Sequence, residues 1–315
     1  MDAGMMDSAG MQAASPTPGG TTAFDLATWS RQQLERVEGA LSQWVCSEAP
    51  AGLGEAMRYA VLDGGKRLRP LLVLAAADAA GGLPEAALRA ACAVELIHAY
   101  SLVHDDMPCM DNDVLRRGKP TVHVQFGEAQ ALLAGDALQA LAFGLLTPED
   151  GVPPATQALL CRLLARAAGA DGMAGGQAID LASVGVALTE DELRQMHRLK
   201  TGALLQASVV MGAACGTASA AALAALTQYG AALGLAFQVV DDILDVTADS
   251  ATLGKTAGKD AASDKPTYVS LLGLDRARAY ADQLLADAHA ALAASHLPDT
   301  RALAALADMV VNRSH

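Results

Sequence analysis

The sequence predicts a single all-α domain of about ten or more helices. The chain has 315 residues, of which 52% are hydrophobic and only 3% are aromatic. Abundant Ala and Leu favour helices, because strands prefer β-branched and aromatic side chains. No segment alternates apolar and polar residues over a convincing length, which excludes most half-buried strands. No internal repeat or shift in composition indicates a second domain.

Breaks rich in glycine and proline separate the predicted helices. Residues 1–22 lack any periodicity and are predicted to be a disordered tail, which leaves 23–315 for the helical domain. The first helical pattern begins after Phe24, and a later helix is predicted to start at Thr189, with Glu192 completing a capping box. The breaks are Gly64-Gly65, Gly81 to Pro84, 118–120, 147–154, Gly175-Gly176 and 249–266.

Composition excludes several classes of protein. A net charge of −13 argues against a nucleic-acid partner, because binding the phosphate backbone requires a basic face. Five scattered cysteines without a CxxC pair argue against a disulfide framework or a zinc site and suit a reducing cytoplasm. The N-terminus lacks the features of a secretory signal. Asp78, Asp136 and Gln238 interrupt the most apolar stretches, so we expect no membrane span.

Two clusters of aspartates, both in apolar surroundings, are the most informative feature of the chain. The clusters read Asp105-Asp106-Met-Pro-Cys-Met-Asp111 and Asp241-Asp242-Ile-Leu-Asp245. Like charges 4 Å apart repel by about 4 kcal/mol at an effective dielectric near 20, so a cation is expected to offset them. Oxygen ligands without nearby His or Cys favour Mg²⁺, which often bridges to a substrate phosphate. The clusters therefore predict two facing magnesium sites that hold a diphosphate.

The second cluster continues a helix. Asp241 and Asp245 are four residues apart and share a face, with Asp242 beside them, a spacing that can chelate a cation. A solvated acidic helix face is the alternative, but the flanking Phe, Val, Ile and Leu favour a buried helix whose carboxylates line a cavity.

The first cluster is predicted to end a helix. Pro108 removes a backbone donor, so the helix should kink there and Asp111 can fold back towards Asp105. A helix C-terminus running into an acidic loop is the alternative. Arg116 and Arg117 follow closely, however, and carboxylates with Mg²⁺ beside paired arginines suit a diphosphate gripped from two sides.

A separate basic segment suggests a second anion site. Residues 64–70 read Gly-Gly-Lys-Arg-Leu-Arg-Pro, in which two glycines allow close backbone approach and three cations follow at a helix start. A charged surface turn is the alternative. His98 lies two helical turns before Asp105 and shares its face, although a lone helical His is more often simply packed. Further lysines interrupt the apolar helices, at Lys200, Lys255 and Lys265.

Taken in order, these motifs resemble the bacterial trans-isoprenyl diphosphate synthases, and most closely the farnesyl diphosphate synthase type. The matching segments run from about residue 30 to the C-terminus. They are GGKRLRP, LIHAYSLVHDDMPCMDNDVLRRGKPTVH, AGDAL, GGQAIDL, KTGALL, FQVVDDILD, TLGK and DKPTYVSLLGL.

The resemblance implies a helical bundle around a deep central cavity and a Mg²⁺-dependent, head-to-tail prenyl transfer. The expected substrates are isopentenyl diphosphate with dimethylallyl and then geranyl diphosphate, the expected product is farnesyl diphosphate, and three Mg²⁺ and a homodimer are expected. The carboxylates implied for the allylic diphosphate and its metals are Asp105, Asp106, Asp111, Asp241, Asp242 and Asp245.

The resemblance also implies roles for other side chains. Arg116, Lys200 and Lys255 would contact the allylic diphosphate, while Thr201, Gln238 and the Lys200 carbonyl would shelter the allylic cation. Gly176, Gln177 and Asp180 would support that wall, and Lys265 has a less defined role. The isopentenyl diphosphate site would comprise Gly65, Lys66, Arg69, His98 and Arg117.

Product length depends on where the apolar tunnel stops. In this family the positions four and five before the first aspartate form the floor, and here they are Ser101 and Tyr100. A Tyr ring beneath a small Ser leaves room for about three isoprene units, so the resemblance implies a farnesyl product.

The sequence departs from relatives in places and leaves rivals open. Asn112 and Val114 occupy positions where relatives often carry additional Asp, and the 256–264 loop also differs. A geranyl or geranylgeranyl diphosphate synthase is the nearest alternative. A terpene cyclase would need no isopentenyl site, and a non-catalytic synthase subunit usually lacks one aspartate cluster, so both are disfavoured.

Overall fold

A computed structural model describes residues 24–62, 64–186, 188–247 and 267–313, which form an all-α bundle. The helices in these ranges are α1 Leu26–Trp44, α2 Leu53–Val61, α3 Leu68–Ala79, α4 Pro84–Asp105, α5 Val122–Phe126, α6 Glu128–Leu146, α7 Pro154–Ala168, α8 Met173–Ala182, α9 Glu190–His197, α10 Ala203–Ala214, α11 Ala220–Thr247, α12 Tyr268–Leu272, α13 Leu274–Ser295 and α14 Arg301–Val311. This arrangement confirms the predicted fold class.

Short irregular elements connect some of these helices. A 3₁₀ turn, Pro50–Gly52, precedes α2, and a π-helical turn, Arg198–Gly202, joins α9 to α10. Two-residue strands, β1 Leu115–Arg116 and β2 Lys119–Pro120, pair antiparallel in the connection after α4. The predicted tail 1–22, Lys255 and Lys265 lie outside the described residues.

Local signals account for the helix boundaries. Pro84 lies in the first turn of α4, where its missing N–H costs no hydrogen bond. The predicted capping box of α9 is confirmed, because the Thr189 N–H donates to Glu192 Oε2 at 2.8 Å and the Glu192 N–H donates to Thr189 Oγ1 at 3.3 Å. These bonds satisfy N–H groups that a helix start would otherwise leave without partners.

Packing brings the functional helices to the centre of the bundle. α4 packs between α3 and α6, α10 packs on α3 and α11, and α11 runs along α13. Leu72, Leu96 and Leu138 are fully buried at these contacts. Because both aspartate clusters lie towards the C-terminal ends of α4 and α11, these two central helices determine where the carboxylates lie.

Three of these helices, α4, α6 and α11, are by length and composition apolar enough to cross a membrane, which the sequence analysis did not anticipate. In the bundle 67%, 39% and 44% of their apolar windows are buried by other parts of the chain. α4 also carries the buried Glu95, and α11 the buried Asp242. The absence of a membrane span stays a prediction.

Candidate active site

The first aspartate cluster forms a closed turn at the end of α4. The helix ends at Asp105, and the Asp111 N–H donates to the Asp105 carbonyl at 2.9 Å. Asn112 follows with a φ of 51°, a left-handed conformation that Asn tolerates better than most residues. The predicted return of Asp111 towards Asp105 is therefore confirmed for the backbone.

Arg116 is bound to Asp106. Its Nε donates to Oδ1 and Oδ2 at 2.8 and 3.0 Å, and its Nη2 donates to Oδ1 at 2.6 Å. The two side chains line a small cavity of about 80 Å³ together with Tyr59. Burial raises the pKa of the Asp106 carboxyl, which the bonds from Arg116 oppose. Arg116 was predicted to contact a diphosphate, but here it holds a carboxylate of the same cluster.

The three aspartates of the second cluster have different surroundings. Asp241 accepts a hydrogen bond from Arg313 Nη2 at 2.7 Å and lines a large cavity. Asp242 is buried and accepts from Gln238 Nε2 and from the Tyr268 N–H, both at 2.8 Å. Asp245 is 6% exposed. The predicted chelating pair, Asp241 and Asp245, therefore differs in exposure, and Asp242 anchors the start of α12.

Within the described residues no three His, Cys, Asp or Glu side chains are grouped so that they could hold a metal ion. The donors nevertheless fit Mg²⁺ in chemistry, because every candidate ligand is a carboxylate oxygen. Burial raises the pKa of Asp105 to about 6, with Asp111 and Asp106 adding to the rise and Lys200 opposing it. A cation near Asp105 would offset that cost. Asp106 and Asp241 each already accept hydrogen bonds from an arginine, which a metal bound to the same carboxylate would weaken.

The Gly-Gly-Lys-Arg-Leu-Arg-Pro segment divides its cations between the core and a cavity. Arg67 is 4% exposed and turns inward, donating to Glu38 at 2.7 Å and to Glu95 at 2.6 Å. Lys66 and Arg69 line a cavity of about 910 Å³, which Arg67 also contacts. The sequence could not distinguish these roles. Arg67 stabilises the fold through two carboxylates, whereas the other two cations lie at the cavity wall.

Gly65 brings two basic loops together. Its φ is +135°, and an added Cβ would lie 2.8 Å from Arg117 Nη1. The same nitrogen donates to the Gly64 carbonyl at 2.7 Å. A side chain at position 65 would therefore displace Arg117 as well as strain the backbone. The predicted role of Gly65 in the anion site is best explained by this close approach.

The large cavity concentrates positive charge. Its lining includes Lys66, Arg69, His98, Arg117 and Arg313. Loss of water around the side chains lowers the pKa of Lys66 and of Arg69, and the charge of Arg313 lowers that of Lys66 further. Burial and the surrounding arginines lower the pKa of His98 well below its usual value, so its ring is neutral at pH 7. An anionic ligand would offset these costs.

A second cavity of about 380 Å³ adjoins the first and shares Arg69 and His98 with it. Its remaining walls are mainly apolar, with Asp105, Lys200 and Thr201 as polar groups. The residues predicted to set product length, Tyr100 and Ser101, both line it. An anionic group in the first cavity and an apolar chain in the second could therefore lie side by side, whether they belong to one ligand or to two.

Lys200 and Thr201 lie in the π-helical turn between α9 and α10. Such turns are rare and often occur at functional sites. Two glycines allow neighbouring helices to approach it closely, because a Cβ at Gly176 would lie 2.5 Å from the Lys200 Cα, and one at Gly234 would lie 2.9 Å from the Gly202 Cα. The Lys200 ammonium pairs with Asp180 at 2.5 Å.

A chain of hydrogen bonds connects this turn to the second cluster. Thr201 Oγ1 donates to Gln238 Oε1 at 3.2 Å, and the amide nitrogen of Gln238 donates to Asp242. The structure thus brings together Thr201 and Gln238, two residues predicted to share one wall although they are far apart in sequence.

Comparisons with known proteins agree with this geometry. A family model described as polyprenyl synthetase matches residues 50–300. A probable farnesyl diphosphate synthase from Bradyrhizobium diazoefficiens is 53% identical over 271 residues, which cover 84% of this chain and 81% of that protein. The chain belongs to the polyprenyl synthetase family.

Other members of the family differ in the product that their names state. A chloroplastic geranylgeranyl pyrophosphate synthase 7 from Arabidopsis thaliana is 45% identical, with 93% of this chain and 85% of that protein covered. A crystal structure of an apo FPP/GFPP synthase from Zymomonas mobilis superposes with a TM-score of 0.81 and is 43% identical, covering 91% of this chain and 98% of that one.

Sequence reasoning missed one residue of the site in this polyprenyl synthetase. Arg313 packs on the Phe237 ring at 4.1 Å from its centroid and bonds to Asp241. A single Arg near the C-terminus gives no pattern to detect, because only the packing of α14 against the bundle brings it to α11.

Proposed function

We propose that this member of the polyprenyl synthetase family condenses isopentenyl diphosphate with dimethylallyl and then geranyl diphosphate to give farnesyl diphosphate. One observation carries the proposal. A cavity rich in cations and a mainly apolar cavity headed by Asp105 share the wall formed by Arg69 and His98. Two diphosphates with their prenyl chains side by side suit this arrangement.

Isopentenyl diphosphate occupies the cationic cavity in this proposal. Lys66, Arg69 and Arg117 bind its phosphates, and charge-assisted hydrogen bonds of this kind are among the strongest available to a protein. Neutral His98 donates a further hydrogen bond without adding charge. Gly65 permits the approach of Arg117.

The allylic diphosphate lies at the mouth of the apolar cavity, near Asp105, Asp111 and Lys200. Mg²⁺, when bound by the aspartates of the two clusters, supplies positive charge that stabilises the departing diphosphate. Lys200 contributes a fixed cation at the same place, and Asp180 orients it. We propose Arg116 as a further contact of the diphosphate; a metal held by Asp106 would loosen the hydrogen bonds between Asp106 and this arginine. Lys255 and Lys265 remain proposed ligands from outside the described residues.

The bond changes follow from this placement. The allylic C–O bond breaks, and the resulting cation is sheltered by the Thr201 hydroxyl, the Gln238 amide oxygen and the Lys200 carbonyl. The isopentenyl double bond attacks the cation and forms the new C–C bond. The released diphosphate accepts the proton that restores a double bond. Dipoles already in position lower the barrier because they need no reorganisation.

The strongest rival is the same reaction with a longer product, and it is supported by the 45% identity to a geranylgeranyl pyrophosphate synthase. A geranyl product is a further alternative. The Tyr100 ring in the apolar cavity favours the farnesyl product over the longer geranylgeranyl product. A terpene cyclase and a non-catalytic subunit are less favoured, because the cation-lined cavity and both aspartate clusters are present.

We also propose three Mg²⁺ per site, a homodimer, a cytoplasmic location, a disordered tail at 1–22 and no nucleic-acid partner. Exposed Leu132 and Leu133 on α6 support the dimer, because an apolar helix face of this kind favours association. The charged, hydrogen-bonded side chains within α4 and α11 support a domain that does not span a membrane.

The experiment that tests the function is incubation of the pure protein with Mg²⁺, isopentenyl diphosphate and dimethylallyl diphosphate, followed by chromatography of the products. We expect a C15 diphosphate. A product that stops at C10 or reaches C20 would refute only the farnesyl assignment. No product longer than C5 would refute the synthase proposal itself.

A further inference from the structure

The wall of the apolar cavity beside Tyr100 contains a second ring, that of His104. The two residues are four apart on α4, and their rings pack edge to face with centroids 5.7 Å apart and an interplanar angle of 74°. Both line the apolar cavity. The Tyr100 ring is therefore not supported by aliphatic side chains alone but rests against an imidazole.

Helix α6 holds the His104 ring from the opposite side. His104 Nε2 lies 3.1 Å from the Leu132 carbonyl oxygen. Because a carbonyl only accepts, the ring carries its proton on Nε2 in this contact. Burial raises the pKa of the Tyr100 hydroxyl, and the side chain of Gln139 on α6 opposes that rise. Both rings thus lie against the same helix.

The space for the imidazole exists only because residue 135 is glycine. A Cβ at Gly135 would overlap the ring, lying 2.5 Å from Cδ2 and 2.8 Å from Cε1 of His104, with Nε2 still nearer. Contacts that short are not observed between real atoms, so any side chain there must push the ring away. Because α6 lies behind the ring, a displaced ring can move into the cavity that it already lines.

We propose that Gly135 and His104 together set the depth of the apolar cavity and, with Tyr100, the length of the prenyl product. His104 is a specificity-determining residue that touches the prenyl chain, and Gly135 is a positioning residue that acts through it. This inference rests on the proposed synthase function.

The test compares four variants by the chain lengths of their products from isopentenyl and dimethylallyl diphosphates. Gly135→Ala should push the ring inward and raise the ratio of C10 to C15 product by about tenfold, because one methylene in a hydrophobic pocket discriminates by roughly 10- to 200-fold. His104→Ala should remove the support of Tyr100 and yield C20 product. The double variant should resemble His104→Ala, because the methyl no longer meets a ring.

Gly144→Ala is the matched control, since it lies on the same helix and an added Cβ meets nothing within 4 Å. Its products should equal those of the unaltered protein. If Gly135→Ala fails to fold, as thermal melting would show, the His104→Ala and double variants still decide the matter. A C15-producing protein whose variants all keep the original product ratio overturns this inference alone. An unaltered protein without activity overturns the synthase function and the inference with it.

Discussion

Replacing Arg67 by Met should separate fold stability from ligand binding within one basic segment. Arg67 turns inward to Glu38 and Glu95, whereas Lys66 and Arg69 on either side line the cationic cavity. Arg67→Met keeps the length of the side chain but removes the charge. The loss should therefore appear in the free energy of unfolding and not primarily in substrate affinity.

The magnitude follows from the exposure of the two partners. The Glu95 side chain is 4% exposed, and removing the cation from a buried pair costs about 3–5 kcal/mol, because the remaining charge is left in a poorly solvating environment. The Glu38 side chain is 35% exposed, so its bond contributes about 1 kcal/mol or less. We expect Arg67→Met to lose about 3–5 kcal/mol in all.

Urea unfolding followed by circular dichroism measures this loss. The double variant Arg67→Met, Glu95→Met should recover most of it, because apolar replacement of both partners in a buried pair is often neutral. Lys66→Met is the control on the cavity side and should unfold within about 0.5 kcal/mol of the unaltered protein. A stability loss below about 1 kcal/mol for Arg67→Met would show that Glu95 is solvated or has another cation.

Three further changes test other parts of the site. Lys66→Met should raise the KM for isopentenyl diphosphate by about 10- to 100-fold, because one charge-assisted bond contributes roughly 1.5–3 kcal/mol; an unchanged KM would place the ligand elsewhere. Tyr100→Ala should give prenyl diphosphates longer than C15 by chromatography, and an unchanged product length would contradict its role in the cavity floor. Burial lowers the pKa of His197 to about 4, with Lys200 adding to the effect and Asp180 opposing it. Since its folded pKa lies below the unfolded value of 6.5, stability is lost as pH falls from about 6.5 to about 4, by up to about 3 kcal/mol. His197→Phe should remove that part of the acid sensitivity in urea unfolding at pH 7 and pH 4.5, and equal pH dependence in both proteins would refute it.

Local chemistry made several features predictable from sequence. Helix-forming composition gave the all-α class, the Thr189 capping box gave the start of α9, and Pro108 gave the return of Asp111 towards Asp105. Each of these depends on residues close together in the chain. The neighbouring positions of Thr201 and Gln238 came instead from the resemblance, because nothing local connects them.

What could not be predicted depends on how distant elements pack. Asp106 is bound by Arg116 because the intervening turn, with left-handed Asn112, brings the arginine back to α4. Asp242 accepts a hydrogen bond from the Tyr268 N–H because α12 begins beside α11. Helical spacing predicts which aspartates share a helix face, but it does not predict which residues of other helices contact them.

The π-helical turn at Arg198–Gly202 makes the proposed site sensitive to the number of residues between α9 and α10. A π turn contains one more residue than an α turn, so it is equivalent to a single insertion in a continuous helix from α9 to α10. Deleting one residue there would regularise the helix and leave α9 and α10 in register, so the change would be confined to the turn that carries Lys200 and Thr201. Thr201 and Gln238 would then no longer meet, although every residue of both aspartate clusters would be unchanged.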